Sequence, residues 1–440
     1  MKVIKLCLVD YLFTPEDRFD TMNNDRPLGI PCIANSMPGL ISKQVSTENL
    51  NSYVNIYNLI ADAKRNEDIT HILELGLSVN SYLDDGPMLK KLVETIVEYK
   101  NIHLLFSCGW DMYSSRVYNE CESTYTPIHD RTKVIKQQLS SVNNKRLHFW
   151  LGNTTEVQIH KNAFPGADVQ YYCVYPNRLI SEHVKSKLKL YVAPGGEIYR
   201  RKIFVCLNNY EKEHRTAMVR FIRSQPKLMS QTYLSYLKPH DLDLCILADG
   251  DHVQHQIGAW QDIIHTDVVD GCYTYIATET HWQQDFRFGH SVFPPKNNTP
   301  IFETSTEEWI LHQMGMPFSG WISEKSLKSA YYELPLLSVG YAGSLQAFKD
   351  LGFKTFPEFF NETYDSTAHP GERMRMIQEN ISRLADLPIE QIHQLYHSEG
   401  VQAKLKHNKA RFMALANTDP YLFVVKNTGR YEQMQEFYYS

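Results

Sequence analysis

The chain has 440 residues, 43% of them hydrophobic and 12% aromatic, with 45 Lys and Arg against 50 Asp and Glu. That length and apolar content suit two packed domains, and the net charge of −5, with no long run of one sign, argues against a strongly nucleic-acid-binding protein. No window approaches the ~20 apolar residues that a membrane helix needs.

The eight cysteines (Cys7, Cys32, Cys108, Cys121, Cys173, Cys206, Cys245 and Cys272) contain no C-x-x-C pair. Cys7, Cys108, Cys173, Cys206 and Cys245 lie in or beside apolar strand-like runs, where a thiol acts as a small hydrophobe. Neither a disulfide framework nor structural zinc is expected. The opening run M-K-V-I-K-L-C-L-V-D is too short and too charged for a signal peptide. A reducing, cytosolic compartment is expected, which is the host cytoplasm if the chain is viral.

Strand-like runs occur at residues 3–9, 69–75, 102–107, 147–151 and 169–175. Tyr53, Ile56, Tyr57 and Ile60 recur at helical spacing, as do Leu89, Leu92, Val93 and Ile96 after a D-D-G-P turn. Strand and helix in alternation predict a parallel sheet covered by helices. Residues 14–47 have no clear period and read as a long loop. V-A-P-G-G-E-I-Y-R-R, within residues 191–201, reads as a linker. The pattern then restarts: a strand at 202–207, a helix at 212–224 with Met218, Phe221 and Ile222 on one face, and strands at 242–248 and 271–278. A helix and strand over 325–339 follow, and helices dominate from Pro370, with Met374, Ile377, Ile381 and Leu384 in helical register. The division expected is 1–195, 196–415 and a tail at 416–440.

The sharpest chemical motif is Ser323-Glu324-Lys325, a polar turn before an amphipathic helix. A carboxylate there can accept two ribose hydroxyls while the helix N-terminus tolerates its charge. The plain alternative is a helix cap, with Ser323 as N-cap and Glu324 in the first turn. D-G-D at Asp249–Asp251 has the spacing of a metal-binding Asp-x-Asp pair but is also a good turn. His252 and His255 lack the carboxylate spacing of a metal site, so no metal and no cofactor are expected. For a general base the candidate is Asp111, just past the strand at 102–107, with Glu74 and Asp10 as rivals placed in the same way. Trp110 beside it either stacks on a ligand or packs.

Taken in order, C-L-N-N-Y-E-K-E-H-R (Cys206–Arg215), Y-I-A-T-E-T-H-W (Tyr275–Trp282), I-S-E-K through G-Y-A-G-S-L (Ile322–Leu345), L-G-F-K-T-F (Leu351–Phe356), E-T-Y-D and R-M-R-M-I resemble a family of GT-B-type glycosyltransferases common in phages and bacteria. The I-S-E-K turn is also similar to the Tyr-x-Thr-Glu-Lys turn of alpha-1,3-fucosyltransferases. The resemblance covers roughly residues 200–385; the first half matches by architecture alone. It implies an α/β fold with two Rossmann-like domains facing across a cleft (GT-B) and C-terminal helices. The N-terminal domain would take the acceptor and the second a UDP- or GDP-sugar. It implies that Arg215, with His214, holds the diphosphate. Thr278, Glu279 and Thr280 would line the base or sugar pocket. Ser323 and Glu324 would serve the ribose and Lys325 a phosphate, with Gly340 and Gly343 admitting backbone to the donor. In the first loop, where relatives often carry Arg, this chain has Asn208 and Asn209, and Asn208 is counted among the donor-binding residues. Phe353 and Phe356 are expected in the core. The activity implied is metal-independent transfer of a sugar to a hydroxyl, of a hydroxymethylated base in phage DNA or of a surface glycan. The alternatives are a non-catalytic nucleotide- or glycan-binding scaffold and a metal-dependent GT-A enzyme built on Asp249 and Asp251.

Overall fold

A computed structural model describes residues 4–9, 50–53, 55–76, 87–108, 116–119, 124–152, 154–171, 176, 179, 190–210, 212–238, 264, 266–279, 322–340 and 342–417. The chain forms two compact units, the first made of Met1–Ser181 with Leu415–Ser440 and the second of Glu182–Ala414, so that the last three residues of the helix Glu399–Asn417 fall in the first.

The first unit contains strands β1 (Ile4–Val9), β2 (Leu50–Tyr53), β3 (Thr70–Gly76), β4 (Ile102–Cys108), β5 (Arg116–Asn119), β6 (Thr124–Pro127), β7 (Leu147–Leu151) and β8 (Asp168–Tyr171). Its helices are α1 (Ile56–Arg65), α2 (Pro87–Ile96), α3 (Ile128–Gln138) and α4 (Thr154–Ala163). Six of the strands make one sheet in the order β2-β1-β3-β4-β7-β8, and every pairing in it is parallel. The remaining two, β5 and β6, form an antiparallel pair.

Alternation sends Cys7, Leu73, Leu75, Leu104, Phe106, Leu147, Phe149, Leu151 and Val169 into one core with the apolar stripes of the helices. Phe149 meets Phe106 and Phe164 with ring centroids at 5.0 and 4.6 Å. Tyr53, expected on a helix face, ends β2 instead. The helix starts three residues later because the Asn55 side chain accepts the backbone N–H groups of Tyr57 and Asn58, at 3.1 and 3.2 Å. The strand expected at 169–175 runs over Asp168–Tyr171, and residues 172–175 lie outside the described residues.

The second unit contains β9 (Lys202–Tyr210), α5 (Glu213–Arg223), α6 (Pro226–Ser230), β10 (Thr232–Lys238), α7 (Thr266–Asp270), β11 (Cys272–Thr278), α8 (Glu324–Tyr331), β12 (Leu336–Val339), α9 (Ser344–Asp350), α10 (Pro370–Asp386), α11 (Ile389–His397) and α12 (Glu399–Asn417). Its sheet runs β10-β9-β11-β12, again with every pairing parallel. The architecture is therefore mixed α/β, with a parallel sheet and covering helices in each unit. Strand β10 was not anticipated: T-Y-L-S-Y-L-K mixes apolar and polar residues, as an edge strand does. The expected strand at 242–248 and the long loop at 14–47 lie outside the described residues.

The stretch read as a linker has neither helix nor strand over 190–201, yet it is not a free connector. Arg200 is 4% exposed; its guanidinium donates to the carbonyls of Val269 (2.6 Å) and Cys272 (2.7 Å) and to the Tyr396 hydroxyl (2.8 Å). At the other end Lys409 Nζ donates to the carbonyls of Tyr191 (3.0 Å) and Tyr331 (2.6 Å). Phe353 and Phe356 are buried as expected, with Phe353 stacked on Phe348 at 4.4 Å. Among the described residues no helix is long and apolar enough to cross a membrane.

Buried arginines recur as carbonyl clamps. In the first unit Arg146 donates to Ile102 O (2.9 Å), Val97 O (3.1 Å) and Ile96 O (3.1 Å), which satisfies carbonyls at the end of α2. Replacing Arg146 by Met keeps the apolar stem but orphans these acceptors, at a cost of about 1–3 kcal/mol. Native-state hydrogen exchange of Arg146→Met should therefore speed up around the α2 C-terminus and the start of β4, by about 5- to 150-fold.

Candidate functional site

The strand order places a topological switch in the second unit. After β9 the chain adds β10 on one side and then returns to add β11 and β12 on the other. In open α/β sheets a crevice forms beyond the carboxyl ends of the strands at such a point. Residues on these ends belong to two faces. Asn208 pairs with Tyr236 across β9 and β10, and Tyr236 shares a 2.6 Å hydroxyl contact with Thr216 of α5. The next residue after Thr278, Glu279, turns instead toward α8. Helices thus start on both faces, beside β9 and β11.

At these strand ends Asn208 and Thr278 are 2% and 1% exposed. The Thr278 hydroxyl donates to Asn208 Oδ1 at 2.5 Å, and Asn208 Nδ2 donates to Ser235 O (3.3 Å) and Cys206 Sγ (3.4 Å). These side chains tie three neighbouring strands together at their carboxyl ends.

Glu279 joins the two helix starts, and its side chain is completely enclosed. Its carbonyl oxygen accepts from His214 Nε2 at 2.7 Å and from Arg215 Nη2 at 3.2 Å, both in the first turn of α5. Its carboxylate accepts the Ser323 backbone N–H (3.2 Å), the Ser323 hydroxyl and the Ser326 hydroxyl (2.5 Å). Ser323 in turn caps α8: its backbone is extended and its Oγ accepts Lys325 N–H at 3.2 Å. Gly340, just past β12, leaves room for this strut. A Cβ there would lie 3.1 Å from both Glu279 Cγ and Ser344 Oγ. The Gly340 carbonyl accepts Arg373 Nε at 3.1 Å.

Glu324 and Lys325 are the candidate groups that keep access to solvent, with side chains 23% and 19% exposed and paired to each other. Burial raises the Glu324 pKa, but the charges of Lys325 and Lys328 and the Lys325 hydrogen bond outweigh it and hold the carboxyl at about 2. Burial lowers the Arg215 pKa, against the pull of Glu324 and Glu279. For His214, burial and then the Arg215 charge push the pKa well below the ordinary 6.5, so the ring is neutral with its proton on Nε2. The arrangement offers an ionised carboxylate for hydroxyl groups, an ammonium, and two helix N-termini for anionic oxygens. Among the described residues no group of three or more His, Cys, Asp or Glu could hold a metal ion.

The structure thus brings together Asn208, His214, Arg215, Thr278, Glu279, Ser323, Glu324, Lys325 and Gly340. Asp111 and Thr280 lie outside the described residues, as do Asp10, Trp110, Asp249, Asp251, His252 and His255. Glu74 is on β3, and its side chain is also outside them. Ser326, Lys328, Asp365 and Arg373 were not singled out as site residues. Asp365 caps α9 through Leu345 N and Gln346 N, both at 2.8 Å. Only the S-x-x-S spacing of Ser323 and Ser326 hinted at a shared partner, and nothing local named it.

No protein-family model, curated protein or solved structure matches the chain.

The depressed Glu324 pKa has a defined consequence. The fold favours the carboxylate, so its contribution is complete above the ordinary value of 4.5 and is lost as the pH falls toward about 2. The gap between the urea midpoints of the wild type and Glu324→Gln should be widest at pH 6 and shrink steadily as the pH falls from about 4.5 to about 2. A gap that stays constant over that range contradicts the assignment.

Proposed function

We propose that the chain is a GT-B-type glycosyltransferase that moves a sugar from a nucleotide-diphosphate donor to an acceptor hydroxyl, with the second unit as donor domain. The observation that supports it best is the meeting of the α5 and α8 N-termini at Glu279, beside the switch between β9 and β11. Such a position suits a nucleotide: helix N–H groups face anionic oxygens and an ionised Glu324 can accept two ribose hydroxyls. Lys325 supplies a positive charge for a phosphate. Arg215, enclosed and donating to Glu279 O, stabilises the departing diphosphate through its field rather than by a bidentate fork. In the reaction the bond from the anomeric carbon to the diphosphate oxygen breaks and one to the acceptor oxygen forms. The acceptor proton passes to a base, for which Asp111 is proposed. The acceptor is a hydroxymethylated base of phage DNA or a glycan. The buried thiols of Cys7, Cys206 and Cys272 fit a reducing cytosol.

A second reading is a nucleotide- or glycan-binding scaffold without catalysis. It is favoured by Asn208, whose amide is spent on internal partners where relatives of the resembled family carry Arg.

Thermal shift with UDP, GDP, CMP and ADP, each with and without Mn²⁺, tests the proposal. A ligand at ~100 times its dissociation constant adds about 2.7 kcal/mol. One nucleoside diphosphate should shift the melting temperature, and Glu324→Ala should weaken it about 10- to 100-fold while leaving the nucleotide-free protein folded. Unchanged affinity in that variant removes Glu324 from the site. Binding without sugar transfer to any hydroxyl acceptor supports the scaffold.

A further inference from the structure

The last turn of α11 carries His393 and His397 at i and i+4, so both imidazoles lie on one side of the helix. Their ring centroids are 4.5 Å apart. Each ring is held from behind. His393 Nδ1 meets the Tyr273 hydroxyl at 3.0 Å, and its ring lies 4.9 Å from that of Tyr199. His397 packs edge-on against Tyr396 at 5.1 Å. His397 Nε2 is buried and has no hydrogen-bond partner among the described residues. A buried nitrogen left without a partner calls for an occupant.

We propose that His393 and His397 form a two-histidine site for a late first-row divalent cation, of the class of Zn²⁺, Ni²⁺ or Cu²⁺. Two helical histidines one turn apart present nitrogens to one cation, the spacing used by helical zinc sites. Imidazole nitrogen suits these cations, whereas Ca²⁺ and Mg²⁺ require oxygen. The Tyr273 hydroxyl on Nδ1 of His393 fixes that ring and leaves its Nε2 to the cation, as outer-shell partners do in histidine metal sites. No third His, Cys, Asp or Glu joins them among the described residues, so water completes the coordination. Tyr273 is the second residue of β11 whereas Glu279 follows its last, so the cation and the nucleotide would occupy opposite ends of that strand.

The test is calorimetric titration of the metal-stripped full chain with ZnCl₂ in a buffer that does not bind zinc. One tight site per chain is expected. His393→Ala and His397→Ala should each weaken it at least about tenfold, and Tyr273→Phe about 10- to 100-fold. The exposed His407 on α12 is the control, and His407→Ala should leave the site unchanged. Circular dichroism and melting without zinc accompany each variant, with His397→Gln held ready in case His397→Ala loses its fold. No tight zinc site in the wild type, or unaltered affinity in both histidine variants, overturns the proposal.

Discussion

The second unit depends on one enclosed carboxylate. Glu279 follows the last residue of β11 and cannot reach water, so its carboxyl oxygens must find hydrogen-bond partners inside the protein. The start of α8 meets it through a backbone N–H and two serine hydroxyls. Because the same residue's carbonyl takes His214 and Arg215, the start of α5 is referenced to the same point. Two helices on opposite faces of a sheet thereby have their N-termini fixed beside one strand end. Removing the carboxylate would leave the Ser323 and Ser326 groups buried without that partner, the costly half of a broken hydrogen bond.

The electrostatics follow from that geometry. With Glu279 committed to α8, Glu324 is the carboxylate in the cluster that retains solvent access, and Lys325 and Lys328 keep it ionised. Enclosure of His214 and Arg215 beside each other forces the histidine to stay neutral, so the cluster carries less positive charge than its composition suggests. Gly340 completes the arrangement sterically, since a side chain there would press on the Glu279 stem.

Much of this architecture is legible in the sequence, and the limits are physical. Strands β4, β7, β9 and β11 stand out because both their faces are buried, giving near-continuous apolar runs. The α5 and α10 helices stand out through Met218 and Ile222, and through Met374, Ile377, Ile381 and Leu384, all buried at helical spacing. Edge strands β2 and β10 do not stand out: Tyr53 falls by chance in register with the following helix, and Ser235 interrupts the apolar pattern of β10. The Ser323-Glu324-Lys325 turn is visible as a helix start. Its link to Glu279 is not, because the two are 44 positions apart and Thr-Glu-Thr names no partner. Arg146, Arg200 and Arg373 are equally opaque, since a buried arginine whose partners are distant carbonyls reads locally as a surface charge.

We propose that the α5 and α8 N-termini form one nucleotide site. Hydrogen exchange of the full chain, with and without saturating UDP or GDP, tests it most directly. The account predicts added protection in peptides covering residues 212–216 and 322–328 together, for the same nucleotide. Nucleotide binding that protects other regions and leaves both of these unchanged would contradict it.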